Sequence, residues 1–299
     1  MISVLRFKYL AIIIAIVVLT PALVFPESSI KWMTFHWKPA MSLDNKGNVT
    51  GGVSGEQLLA LTADLSDYEH SYISMNWRRF WDVIKKKNDN ICNCLAIKTE
   101  ERESLALFSE PFSIALAVSV IMRKDAAKKL GMPESVSLVS LMKDSRFTGN
   151  LIEGRSYSQK IDNLLSVHEK NSNIARQVMS GENSVLMLIY NRIDYILDYP
   201  ALLDTRLSGQ APEQVDTLVS IPIREINPYY LVYVACTKNE WGEKKIKRIN
   251  RSIKNLHKKD DFKATFAAAY SGETLKRIES LYDQYFIQGK GADTKISSD

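Results

Sequence analysis

The chain has 299 residues, 45% hydrophobic and 24% charged, with a formal net charge of +5. At about 100–200 residues per unit, that length holds two compact units. The charge is mild and spread along the chain, with KKK (85–87) and KKIKR (244–248) as the densest runs. Such runs read as solvated helix faces, which argues against nucleic acid as a partner.

Arg6 and Lys8 precede LAIIIAIVVL (10–19), followed by Thr20-Pro21-Ala22. A basic start, a short apolar core and a small-residue cleavage site read as a secretory signal peptide over 1–26, cleaved after Ala22. The other reading is an uncleaved anchor, since apolar residues continue through Leu23, Val24 and Phe25. Pro21 and Pro26 leave that stretch barely the ~20 apolar residues a membrane span needs. No cysteine lies near the end of the apolar core, so a lipid anchor is not expected.

Beyond it, IKWMTFHW (30–37) reads as a strand and GEQLLALTADL (55–65) as a helix after the turn-rich DNKGNVTGG. HSYISMNW (70–77) is a second strand, RRFWDVIKKK (78–87) a second helix and ICNCLAI (91–97) a third strand. The alternation implies an α/β unit with a largely parallel sheet. It then repeats. LAVSVIMRK (116–124) reads as a strand, PESVSLVSLMK (133–143) as a helix, and GNLIEG (149–154) as a strand running into the helix SQKIDNLLSVHEK (158–170). SVLMLIYN (184–191) is a helix and IDYILDY (193–199) a strand; LVSIPI (218–223) and YYLVYVACT (229–237) are late strands. The remainder to Gln288 reads as helical, and 291–299 as a frayed tail. The absence of a low-complexity linker suggests two lobes sharing crossover strands, with a cleft between them.

Three cysteines, Cys92, Cys94 and Cys236, are too few for a disulfide scaffold. Cys92 and Cys94 lie two apart on one strand and face the same way. The preferred reading is buried, small apolar residues, with a single bridge to Cys236 left open for an oxidising compartment. A Cys92–Cys94 bridge is geometrically unfavourable.

No catalytic signature is present. His36, His70, His168 and His257 are isolated, with neither HExxH nor a nearby cysteine pair, so no metal site is expected. GxSxG, GxxxxGK[ST] and GxGxxG are all missing, and no cofactor is expected. Three features do suggest a ligand. Arg102, just past the carboxyl end of a strand, sits where open α/β sheets bind ligands and carries a fork suited to carboxylate. It reads equally as a surface arginine paired with Glu100, Glu101 or Glu103. In EGRSYSQKID (153–162), Arg155, Ser156 and Tyr157 lead into a helix whose free N–H groups attract an anion. Ser156 or Ser158 serves there as the helix cap. Trp37 and Trp77 follow the first two strands and could sandwich a ligand, although either one reads more simply as core packing.

These motifs, in this order, resemble the periplasmic solute-binding proteins of the polar amino-acid uptake type (solute-binding family 3) over roughly residues 30–288. The resemblance rests on Trp37-Lys38-Pro39, KKNDNICNCLAIKTEER, FSEPF leading to MRKD, NLIEGRSY, NRIDYILDYP, and a closing segment with Tyr282 and Tyr285-Phe286. It implies a two-lobed α/β fold, periplasmic-binding-protein-like (type II), with a ligand cleft and two hinge crossovers near Phe112–Leu116 and Glu225–Tyr229. The implied boundaries are 27–115 plus 227–290 for lobe 1 and 116–226 for lobe 2. Arg102 matches the arginine of the TxxR element that clamps a ligand's α-carboxylate. Trp37 matches the aromatic that covers the ligand, and Ser156 the hydroxyl that also holds the carboxylate. Two departures stand out. The family's acid, seven positions after the arginine of its GRxD element, falls here on Tyr199, with Asp198 one residue early and so on the other face of a strand. Ala96 stands where the family has small polar residues before TxxR, and Lys98 looks like an insertion. The implied protein is a periplasmic monomer that captures a small carboxylate-bearing solute, without catalysis, for an inner-membrane ABC permease or a sensor. The runner-up readings are a membrane-tethered sensory domain and a dehydratase or lyase using Glu110 or Asp198.

Overall fold

The computed structural model describes residues 28–289 apart from 38, 88, 154, 179–180 and 204–211. The signal segment (1–26), the tail (291–299) and Gly154 at the end of its strand lie outside the described residues. In chain order the first elements are β1 (Ser29–Thr34), β2 (Ser42–Leu43), β3 (Val49–Gly51), α1 (Val53–Asp64), β4 (Glu69–Ser74), α2 (Trp77–Lys86), β5 (Ile91–Ala96), α3 (Glu100–Leu105) and β6 (Ala106–Leu116). There follow β7 (Ser119–Arg123), α4 (Lys124–Lys129), α5 (Leu138–Lys143), β8 (Gly149–Ile152), α6 (Gln159–His168), β9 (Ile174–Gln177), α7 (Gly181–Ile189), β10 (Tyr195–Asp198) and β11 (Leu218–Pro222). The chain closes with β12 (Tyr229–Thr237) and helices α8 (Glu240–Leu256), α9 (Asp260–Ala264) and α10 (Gly272–Tyr282).

Two five-stranded sheets result, ordered β4-β1-β5-β12-β6 and β11-β7-β10-β8-β9. Central strands are apolar on both faces because helices cover both faces. In β5, Cys92 and Cys94 join one core cluster while Ile91 and Ala96 join another. The expected parallel sheets are in fact mixed. β1 runs parallel to β4 and β5, but β12 runs antiparallel to β5 and β6. Likewise β10 and β9 flank β8 in parallel, while β7 is antiparallel to β10 and to β11. Hydrophobic spacing marks a strand without giving its direction, and β12 enters the first sheet on its way back from the second.

The first crossover is later than expected. Phe112–Leu116 lies inside β6, an 11-residue strand that absorbs FSEPF. The chain leaves the first sheet through Ala117–Val118 and returns through Ile223–Pro228, and Ala117 N–H donates to the Pro228 carbonyl at 3.0 Å. Pro111 has no N–H to give a ladder, and the β6–β12 register shifts where Tyr233 faces it. Two pieces of sheet escaped the sequence reading. The β2–β3 hairpin lies in the turn-rich stretch, and β9 (IARQ) buries only Ile174 fully.

The cysteine reading also changes. Cys92 and Cys236 form a disulfide across 144 residues of sequence, between directly opposed positions of β5 and β12. Cys94 alone remains free; it is buried, and burial pushes its thiol up to about 12.

Candidate functional site

The end of β5 positions the first group of residues. Thr99 caps α3 by accepting the Arg102 N–H at 3.3 Å, which turns the chain off the sheet and places Arg102 in the first helical turn. Arg102 Nη1 donates to the Ile97 carbonyl at 2.9 Å, and its guanidinium lies 4.9 Å above the Trp81 ring. Glu103 is taken by Lys98 at 2.7 Å. Among the described residues no carboxylate pairs with Arg102, so the surface ion pair with Glu100, Glu101 or Glu103 does not form. Burial pulls the pKa of Arg102 below its ordinary value, and the charge of Glu101 offsets this only in part. A partly desolvated cation whose other donors have no partner among the described residues is poised to receive an anion.

Trp37 and Trp77 belong to the same group. Phe35 lies 6.2 Å from Trp37, nearly parallel at 29°, and 5.5 Å from Trp77. Trp77 meets Phe80 at 6.0 Å, and Phe80 meets Trp81 at 5.1 Å, which closes the chain of rings onto Arg102. A backbone bridge between Trp37 and Met41 (3.0 and 2.9 Å) holds the first tryptophan, which stays 45% exposed. Asn76 caps α2 by accepting the Arg79 N–H and so fixes Trp77 at the helix start. Phe35 and Trp81 were missed in the sequence. Trp81 is four residues beyond Trp77 and therefore on the same helix face, a signal that was available.

The second group sits on the second sheet. Arg155 Nη2 donates to Asp198 Oδ1 at 2.5 Å, and the Arg155 guanidinium covers the Tyr157 ring at 5.0 Å. Asp198 is buried at the end of β10 and also accepts the Tyr199 N–H at 2.8 Å. Burial pulls the Arg155 pKa down, but the hydrogen bond and charge of Asp198 outweigh it and leave the group above its ordinary value. Tyr157 is a core residue, 1% exposed, whose hydroxyl accepts the Ile152 N–H at 2.8 Å. Tyr199 packs partly buried against the same core, and burial raises its pKa.

The start of α6 is internally satisfied. Ser158 caps it by accepting the Ile161 N–H. Ser156 Oγ donates to Asp162 Oδ2, and the Tyr157 N–H donates to Asp162 Oδ1 at 3.0 Å. The Asp162 carboxylate thus takes the Ser156 hydroxyl that the resemblance assigned to a ligand carboxylate, together with the Tyr157 N–H just ahead of the helix. The structure therefore gathers Trp37, Trp77 and Arg102 in one place and Arg155, Tyr157, Asp198 and Tyr199 in another, with Ser156 turned to Asp162.

Of the acids an enzymatic reading would use, Asp198 is paired with Arg155, and Glu110 pairs with Lys254 at 3.2 Å. Among the described residues no group of three or more His, Cys, Asp or Glu could hold a metal ion.

Neither a family model nor a curated protein matches the chain. Solved structures do. A polar amino-acid ABC uptake transporter substrate-binding protein from Streptococcus thermophilus matches with TM-score 0.62 at 15% identity, over 86% of this chain and 92% of that one. The second substrate-binding domain of Lactococcus lactis GlnP, in an open conformation, matches with TM-score 0.57 at 11% identity, over 83% and 97%. The ancestral amino-acid-binding protein AncCDT-1, described as a precursor of cyclohexadienyl dehydratase, matches with TM-score 0.52 at 15% identity, over 82% and 96%. The fold is the two-lobed, type II periplasmic-binding-protein fold.

Proposed function

We propose that this protein is a non-catalytic solute-binding protein that captures a small carboxylate-bearing molecule between its lobes and presents it to an ABC-type permease. Arg102 carries this reading. It is a partly desolvated guanidinium with no carboxylate partner among the described residues, at the carboxyl end of a central strand, where ligands of open α/β sheets bind. The Trp37–Phe35–Trp77 rings beside it supply flat apolar surface for the body of the ligand. Arg155 and Tyr199 would complete the site from lobe 2 (116–226) as it closes on lobe 1 (27–115 plus 227–290). Ser156 joins only by exchanging its bond to Asp162. The solved neighbours named as amino-acid transporter binding proteins favour transport over sensing. Export through the N-terminal segment would place the protein in the periplasm as a monomer. Among the described residues no helix is long and apolar enough to cross a membrane.

A dehydratase or lyase reading draws on the AncCDT-1 likeness. It is the weaker one, because both candidate acids, Glu110 and Asp198, are held in ion pairs.

The test begins with a melting-temperature screen of amino acids, short peptides and organic acids. A ligand at about 100 times its Kd adds about 2.7 kcal/mol of stability. Calorimetric titration of the best ligand into Arg102→Ala should then show a loss of about 2–5 kcal/mol, the cost of leaving a buried ligand charge unpaired. Arg102→Lys should also lose affinity, because an ammonium lacks the bidentate fork. Equal affinities for wild type and Arg102→Ala would remove the clamp.

A further inference from the structure

A second site lies away from these residues. A cavity of about 500 Å³ opens where the outer edge of β11 meets the start of α10. Its walls include Lys124, Asp216, Ser220, Glu273, Lys276 and Arg277. It shares no residue with the Arg102 or Arg155 groups.

Arg277 is held across this junction by one bond, Nη1 to the Ser220 carbonyl at 3.2 Å. That bond ties α10, which packs on the first sheet's core through Ile278 and Tyr282, to the edge strand of the second sheet. The other two donor atoms of the guanidinium, Nε and Nη2, are buried and have no hydrogen-bond partner among the described residues. These two atoms form one edge of the guanidinium, and their N–H groups run parallel, the arrangement that grips a carboxylate or phosphate with two bonds. Ser220 Oγ, on the facing strand, is likewise buried without a partner. Two residues that line the cavity, from two elements, thus each carry orphaned buried polar atoms, and buried charged donors left unpaired are costly.

The charges around the cavity point the same way. Glu273 is taken by Lys276 at 2.9 Å, which leaves Asp216 against Lys124 and Arg277. The start of α10, an 11-residue helix, forms part of the same wall and adds positive character to it.

We propose that this cavity is an accessory site for a small oxyanion, a carboxylate or a phosphate, gripped by the Nε/Nη2 edge of Arg277 with Ser220 Oγ as a further partner. An occupant would bridge α10 and β11 beside the Ile223–Pro228 crossover, so binding here would be coupled to the relative position of the lobes and hence to the cleft.

Inorganic phosphate and succinate serve as separate probes. Each is titrated at constant ionic strength into the full mature chain, with chloride as the control, and read by melting temperature and calorimetry. The expected result is saturable binding of at least one probe beyond the chloride control. Arg277→Lys keeps the charge but loses the fork, and should weaken that binding about tenfold. Ser220→Ala removes only an unpartnered hydroxyl, should leave the melting temperature unchanged, and should weaken binding less. Arg102→Ala should leave it unchanged, so failure of the interlobe clamp and failure of this site are distinguishable. Phosphate binding alone identifies phosphate-type anions, and succinate binding alone identifies carboxylates. No saturable binding of either probe would overturn the site, as would equal binding by wild type and Arg277→Lys.

Discussion

Breaking the Cys92–Cys236 bridge should destabilise the protein more than any surface change. The bridge closes a loop across 144 residues, from β5 to β12, and every strand of the second sheet lies inside it. In the chain-entropy treatment, a closed loop of that length removes roughly 17 cal/mol/K from the unfolded chain, or about 5 kcal/mol at 25 °C. That is near the upper end of what disulfides deliver, and a substantial part of the ~5–15 kcal/mol that holds a typical native protein together. Both sulfurs are fully buried, so a reductant must act on the unfolded chain. The protein is unfolded in urea, reduced, refolded with reductant present, and compared with the oxidised form by urea titration. The reduced form should unfold at clearly lower urea. Alkylation in denaturant without reductant should label Cys94 alone, and with reductant all three cysteines. Three labelled cysteines without reductant, or coincident unfolding curves, would refute the reasoning.

Arg155→Ala removes the ion-pair partner of Asp198, whose side chain is 2% exposed and which keeps its bond from the Tyr199 N–H. It should cost about 3–5 kcal/mol by denaturant titration, and pairing it with Asp198→Leu should recover most of that loss. Burial lowers the pKa of His70, whose Nδ1 accepts the Trp32 Nε1–H at 3.0 Å. A depressed pKa in the folded state means its contribution is intact above the ordinary 6.5 and is lost as pH falls through the lower folded value. Denaturation curves should therefore weaken from pH 7.5 to pH 5, with a shallower slope in His70→Asn; identical slopes would count against this. Gly242, in the first turn of α8, leaves no room for a side chain: a Cβ there would sit 1.9 Å from the Thr237 carbonyl oxygen. Gly242→Ala should push the helix off β12 and cost about 1–3 kcal/mol or more, and an unchanged urea midpoint would contradict that.

Much of the architecture is local in origin and could be read along the chain. Apolar runs such as ICNCLAI and YYLVYVACT are strands because they are buried on both faces, and RRFWDVIKK is a helix because its apolar residues recur at helical spacing. Asn76, Thr99, Ser137 and Ser158 cap helices through bonds spanning three residues, which sequence shows directly. The positions of Arg102, Trp37 and Trp77 just past strand ends were legible for the same reason.

What the sequence could not hold were relations between distant segments. Strand direction, the crossover at Ala117–Val118 and the register that sets Cys92 against Cys236 depend on which strands become neighbours, and one-dimensional periodicity carries no such term. The partners of charged groups were hidden likewise. Asp198 stood one residue early for the family's acid until folding set Arg155 beside it, and nothing in the sequence singled out Arg277. An ion pair or an orphaned donor is defined by what lies within about 3 Å in space. Only the packed chain decides that.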